Sequence, residues 1–298
     1  MTIQERRELT EKLLAASLVT KPFTPPEHYQ PAIEGTAVTQ RQIDTGAGAT
    51  DIWLVSRPDR PRDSAVLINF HGGGFVAPHT QRDICFCQRL AWDLNVLVVD
   101  VAYRTSTEAP FPTACYQAYD CVKWVLDSAA ELDIDPGKLI TVGHSAGGNL
   151  ALGVSLLAQE KKEFSIALQV LDYPPVDLCT DPADKPDAFH TAVLPERARE
   201  INLLYLDDPS NGQKVLASPT LANPEQLAGM PETVMITGGR DNLRHEAEQY
   251  AAKLIAAGVP VHCRRFIGSR HGFVITCFDE YEEAILFMET MIRQIGTN

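Results

Sequence analysis

The sequence has no run of basic residues longer than two, the pairs being Arg6-Arg7, Lys161-Lys162 and Arg264-Arg265. Acidic residues outnumber basic ones 39 to 26, a formal net charge of −13. A surface of that sign repels phosphate backbones and anionic lipid, so neither nucleic acid nor membrane is an expected partner. No apolar run approaches the roughly 20 residues that span a bilayer. The opening M-T-I-Q-E-R-R-E-L-T-E-K-L-L lacks the apolar segment of a signal peptide. No C-x-x-C occurs among the seven cysteines (Cys85, Cys87, Cys115, Cys121, Cys179, Cys263, Cys277). Their odd number argues for reduced thiols in a cytoplasmic protein, not a disulfide framework. Neither G-x-G-x-x-G nor G-x-x-x-x-G-K-[ST] is present, so nucleotide cofactors have no support. His71, His79 and His144 lack ligand spacing to Cys or carboxylate, so no metal is expected either.

What is present is ample core. Of 298 residues, 45% are hydrophobic and 22% charged, the balance of a soluble globular protein. One domain, 1–298, is expected for an α/β chain of this length. Leu9, Leu13, Leu14 and Leu18 share one face of a helix predicted over residues 1 to about 20. Strand-like pieces at Gln40 to Asp44 and Thr50 to Ser56 suggest an antiparallel start to a sheet. From Ser64 onward, strands (64–70, 95–101, 138–142, 166–173, 233–237, 261–267) alternate with helices (83–93, 112–130, from 151, 244–257, 280–294). The strands are continuously apolar, which means a parallel sheet covered by helices on both faces. The interval 177–219 breaks the rhythm with Pro182, Pro186, Pro195, Pro209 and Pro219, yet Glu196 to Tyr205 reads as helix. Insertions between sheet strands lie over the strand ends, where ligands bind. With residues 1 to about 40, this interval is expected to form a cap.

The chemistry gathers at one turn. Gly143-His144-Ser145-Ala146-Gly147 lies between a β-branched strand and the first turns of a helix. A G-x-S-x-G in that setting is a sharp turn that projects a serine hydroxyl above the sheet. The flanking glycines let neighbouring chain approach without a Cβ clash. A tight glycine turn with a solvent-facing serine is the plainer alternative. A hydroxyl needs a base to act as nucleophile, and the base needs an orienter. His271, on the loop leaving the last strand, is the candidate base. His190, in the insertion, His245, in a helix, and His262, in a strand, fit worse. Asp241, just past the strand 233–237, is the candidate acid, its plainer role being a helix N-cap. Asp177 is the second candidate acid. After the strand 64–70 comes His71-Gly72-Gly73-Gly74. Two of these glycine amides, with that of Ala146, can face an oxyanion, each such donor being worth about 100- to 1000-fold in rate.

These residues occur in a recognisable order. H-G-G-G-F at 71–75, Tyr103-Arg104 followed by Pro110-Phe111-Pro112, G-H-S-A-G-G-N-L at 143–150, Asp172-Tyr173-Pro174, Ser218-Pro219, the stretch from Gly239 to Pro260, and His271-Gly272-Phe273 together resemble the hormone-sensitive-lipase-like branch of the α/β-hydrolases, rich in bacterial carboxylesterases. The likeness covers about Val66 to Phe273. It implies an α/β-hydrolase fold: a mostly parallel eight-stranded sheet, helices on both faces and a small helical cap. It implies Ser145, Asp241 and His271 as a catalytic triad and Gly73, Gly74 and Ala146 as oxyanion donors. His144 departs from the family, which often has Asp there; replacing it by Asp is expected to cost little activity. His245 and the T-S-T-E-A before Pro110 also depart.

The expectation is a serine hydrolase acting on a small-molecule carboxylic ester through an acyl-enzyme, with no cofactor. The short cap, with Phe189, Leu203, Leu204 and Tyr205 available, suggests a small apolar pocket, to which Phe75 and His144 are added. Such a pocket suits short- to medium-chain acyl groups. An amidase or formamidase with the same triad is the alternative. A non-catalytic receptor on this fold would require a lost triad member. Homodimer formation is open.

Overall fold

The computed structural model describes residues 1–17, 19–191 and 193–296. Eight strands form one sheet: β1 (Ala37–Thr45), β2 (Gly48–Ser56), β3 (Ser64–Phe70), β4 (Leu97–Ala102), β5 (Ile134–His144), β6 (Leu168–Asp172), β7 (Glu232–Gly238) and β8 (Val261–Phe266). Their spatial order is β1-β2-β4-β3-β5-β6-β7-β8. The β1–β2 and β2–β4 pairs are antiparallel and the rest parallel. The chain steps outward from β3 to β4, then returns to lay β5 on the other side of β3. That reversal opens a crevice at the carboxyl ends of β3 and β5, where open α/β sheets bind ligands.

The helices are α1 (Ile3–Ala15), α2 (Gln30–Gly35), α3 (Gln81–Leu94), α4 (Thr113–Asp127), α5 (Ala129–Leu132), α6 (Ala146–Lys161), α7 (Pro195–Leu206), α8 (Pro224–Leu227), α9 (Arg244–Ala256), α10 (Phe273–Thr276) and α11 (Tyr281–Gly296). They cover both faces of the sheet. Val66, Ile68 and Phe70 pack with Ala118 and Val122 of α4, Leu150 and Val154 of α6, and Tyr250 of α9. Ala65 and Leu67, pointing the other way, pack with Phe86 and Leu90 of α3 and Ile285 and Met288 of α11. With both faces buried, β3 has no polar side to alternate with, which is why it is apolar except for Ser64 and Asn69, the latter donating to Asp100 at 2.8 Å.

The N-terminal helix stops at Ala15, short of residue 20, after a capping box between Thr2 and Glu5. Leu18 lies outside the described residues. In the 177–219 interval the prolines start helices. Pro182, Pro195, Pro209 and Pro219 each occupy the first turn of a short helix, where the missing N–H costs nothing. The α1 helix packs on α7. Leu13 meets Leu204 and Val76, Lys12 pairs with Glu200, and Arg197 donates to the Ala16 carbonyl at 2.7 Å. Arg6 donates to the carbonyls of Ser106 at 2.7 Å and Leu204 at 3.2 Å.

Candidate active site

The turn after β5 is built by glycine. Ser145 stands at φ 51°, ψ −116°, a strained conformation for a side-chain-bearing residue. A Cβ on Gly143 would lie 2.3 Å from the Gly147 carbonyl oxygen, and one on Gly147 would lie 1.9 Å from that of Phe70. Only bare backbone passes there. The Ser145 N–H donates to the Asp172 carbonyl at 2.8 Å, and the Asn149 N–H to Ser145 O at 3.2 Å, which starts α6. The hydroxyl is thereby held at a helix N-terminus, whose free N–H groups favour developing negative charge.

Two further loops meet it. Those after β7 and β8 are joined by Gly239 N–H to Phe266 O at 2.7 Å and Arg240 N–H to Ser269 O at 2.9 Å. Gly239 permits this, since a Cβ there would lie 2.3 Å from the Ile267 carbonyl. His271 Nε2 is 2.9 Å from Ser145 Oγ, and His271 Nδ1 is 2.6 Å from Asp241 Oδ2. A carboxylate only accepts, so Nδ1 carries the proton and Nε2 presents a lone pair to the hydroxyl. Asp241 is buried, and its other oxygen accepts from the Leu243 N–H at 3.2 Å. Burial alone would lower the His271 pKa. The charge and hydrogen bond of Asp241, with the charge of Asp172, outweigh it and hold the imidazole above its ordinary value of 6.5.

The glycine loop after β3 lies on this turn. Gly73 and Gly74 have φ of 112° and 64°, conformations that glycine adopts without strain. A Cβ on Gly72 would meet the His144 carbonyl oxygen at 3.1 Å. Val76 and Ala77 donate to the Gly73 carbonyl at 3.2 and 3.0 Å. Among the described residues, the amides of Gly73, Gly74 and Ala146 donate to no backbone carbonyl. The ring of His71 stacks on Tyr103, whose hydroxyl donates to His71 O at 2.8 Å, so the loop rests on a fixed base.

The pocket expectation needs correction. Phe75 and Tyr205 stack on each other at 3.7 Å between centroids, both buried in the core. Leu204 is covered by Leu13 and Val76. His144 has no exposed surface and bonds Asp172. Phe189 is 67% exposed and stands in solvent. A helix face rich in apolar residues must be covered by something, and here α1 and the Phe75 ring cover it. The surroundings of position 144 give a reason to expect a cost from Asp there. It would set a carboxylate against the buried Asp172, and two such groups in low dielectric cannot both ionise. A different set of side chains borders the glycine loop. Leu13, Leu14, Val76, Ala77, Arg197 and Ile201 line a small cavity of about 10 Å³ beside Gly73. That space holds about one water. Ile201 sits over the loop, its Cδ1 3.0 Å from where a Gly74 Cβ would stand. The signal was the helical period of α7, which puts Ile201 on the same face as Leu204.

The strand order and the strained serine turn define the class: this is the fold of an α/β hydrolase. A family model described as alpha/beta hydrolase fold matches residues 67–275, and the chain belongs to that family. An arylesterase of Saccharolobus solfataricus is 30% identical over 225 residues, covering 73% of this chain and 71% of that protein. An ethyl acetate hydrolase of Pseudomonas putida is 28% identical over 272 residues, 88% and 84% of the two chains. Among solved structures, the thermophilic carboxylesterase EstE1, cloned from a metagenomic library, superposes with a TM-score of 0.81 at 31% identity, over 99% of this chain and 98% of that one.

Proposed function

We propose that Ser145, His271 and Asp241 hydrolyse carboxylic esters through an acyl-enzyme. The chain is a carboxylesterase of the α/β-hydrolase family. His271 Nε2 takes the Ser145 proton as the hydroxyl attacks the ester carbonyl. Asp241 holds the ring in the tautomer this needs and stabilises the imidazolium that forms. The amides of Gly73, Gly74 and Ala146 receive the oxyanion. The imidazolium then protonates the leaving alcohol, and water activated by the same nitrogen releases the acid. The observation that carries this reading is the relay from Ser145 Oγ through His271 to Asp241, at 2.9 and 2.6 Å.

The α1 helix and residues 177–219 serve as the cap. The tight cavity beside Gly73 and the position of Ile201 favour short acyl chains. The names of the relatives, an arylesterase and an ethyl acetate hydrolase, favour ester over amide. All seven cysteines are free thiols, in keeping with a reducing, cytoplasmic setting. A homodimer would pair along β8, the last strand of the sheet, beside the exposed Ile267 and Phe278. The test is hydrolysis of p-nitrophenyl esters of rising acyl length alongside matched anilides. Activity should be greatest on the short esters and fall by about a thousandfold or more in Ser145→Ala. Undiminished turnover in that variant would remove the assignment, and anilides cleaved as fast as esters would favour an amidase.

A further inference from the structure

A second imidazole–carboxylate pair lies directly beneath the serine turn. His144 and Asp172 are register partners at the carboxyl ends of β5 and β6. His144 Nδ1 is 2.7 Å from Asp172 Oδ2, and neither side chain has any exposed surface. The same two residues bracket the nucleophile. His144 precedes Ser145 in the chain, and the Asp172 carbonyl accepts the Ser145 N–H at 2.8 Å. Tyr173, the next residue, is itself at φ 42°, and its ring meets that of His271 edge-on with centroids 5.0 Å apart. The two pairs, His144 with Asp172 and His271 with Asp241, therefore flank one aromatic ring.

The pair is costly as a structural device. His144 Nε2 and Asp172 Oδ1 are buried and have no hydrogen-bond partner among the described residues. Each such orphan forfeits its hydrogen bonds to water without replacement, which destabilises the fold. Apolar side chains of similar volume would avoid that cost, since buried ion pairs are often replaceable without loss of stability. Its position suggests a use in the reaction. Burial pushes the Asp172 carboxyl up, while the bond and charge of His144 and the charge of His271 oppose the rise. The influence is mutual, for the Asp172 charge also favours protonated His271. The Phe86 ring of α3 meets His144 edge-on at 4.4 Å and Gly72 of the β3 loop lies on the His144 backbone, while the nearest further carboxylate, Asp241 on the β7 loop, is bonded to His271.

We propose that His144 and Asp172 are positioning residues for hydrolysis: they fix the turn that presents Ser145, and Asp172 supplies a second negative charge behind the imidazolium of His271. This rests on the triad reading above. The His144 donor opposes the effect of burial on Asp172, and the charge of Asp172 adds to that of Asp241 in stabilising the cation that forms when His271 accepts the Ser145 proton.

The experiment is the pH profile of kcat/KM on p-nitrophenyl acetate for the full-length enzyme and its variants. His271 must be neutral to act as base, so the acid limb reports its pKa. Removing a nearby negative charge lowers that pKa. Asp172→Asn, close to isosteric, should move the acid limb to lower pH by about half a unit or more and reduce kcat at the plateau. A purely structural role would lower activity without moving the limb. His144→Gln retains a donor to Asp172 and should not move the limb downward. His144→Leu removes the donor, leaves Asp172 protonated, and should reproduce the Asn shift. An unmoved limb in Asp172→Asn overturns the proposal. Should that variant not fold, equal acid limbs in His144→Gln and His144→Leu overturn it instead. Ser145→Ala separates the two readings: full activity there sinks the triad, whereas an inactive Ser145→Ala with an unmoved Asp172→Asn limb sinks this inference alone.

Discussion

Gly147 and Gly153 stand six residues apart near the start of α6, and their surroundings could hardly differ more. A Cβ at Gly147 would lie 1.9 Å from Phe70 O and 2.5 Å from His71 O, both backbone atoms that cannot move without opening β3. A Cβ at Gly153 would meet the Cys115 sulfur at 3.8 Å, an ordinary contact. Gly147→Ala should therefore destabilise the protein by about 3 kcal/mol and abolish turnover. Gly153→Ala, within a helix and without a clash, should stabilise it by about 0.5–1 kcal/mol. Urea unfolding of both variants checks the pair, and equal effects would refute the distinction. At this scale the sequence is informative where chemistry restricts the residue type. The glycines around Ser145 can be read because no other residue fits so tight a turn. The partner of His144 cannot, because Asp172 comes from another strand and nothing in the linear order states which residues become register partners.

At the scale of elements, the sheet is legible and the cap only in outline. The strands β3, β4, β6 and the second half of β5 are buried on both faces, so each appears as a mostly apolar run, interrupted by residues such as Asn69, Asp100 and Gln169 that bond to one another or to neighbours. Helix α2 escapes such a reading because Gln30–Gly35 is too short for a period and holds a proline at its start. Helix α7 is recognisable, but amphipathicity does not say what covers the apolar face. Leu204 turns out to face α1, while Ile201, one turn earlier, reaches the glycine loop. That difference makes Ile201 the residue of α7 on which a role in selectivity is best tested. Ile201→Ala opens space beside Gly74 and should raise kcat/KM for a hexanoyl ester relative to an acetyl ester by about tenfold, the scale set by a few methylenes in an apolar pocket. An unchanged ratio across acyl lengths would show that the acyl chain lies elsewhere.

For the molecule as a whole, stability against pH is set by buried carboxyls that shift in opposite directions. Burial raises the Asp100 carboxyl, but the charge and hydrogen bond of His79, 2.6 Å away, with the Asn69 amide at 2.8 Å, outweigh this and keep it below its ordinary value. Its contribution is present above the unfolded value of 3.8 and disappears as pH falls through the lower folded value. Glu289 on α11 behaves in reverse. Burial, then the nearby Asp93 carboxylate, push it up to about 8, against the opposing charges of Arg89 and Arg293. The folded protein therefore holds a proton there that the unfolded chain releases near 4.5. That contribution is whole below pH 4.5 and is lost as pH rises toward about 8. Glu289→Gln keeps the shape and a donor while removing the titration. It should melt within a degree or so of the parent at pH 5 and about 3 °C or more above it at pH 9. A melting difference that stays constant between those two pH values would mean that Glu289 is ionised in the folded protein.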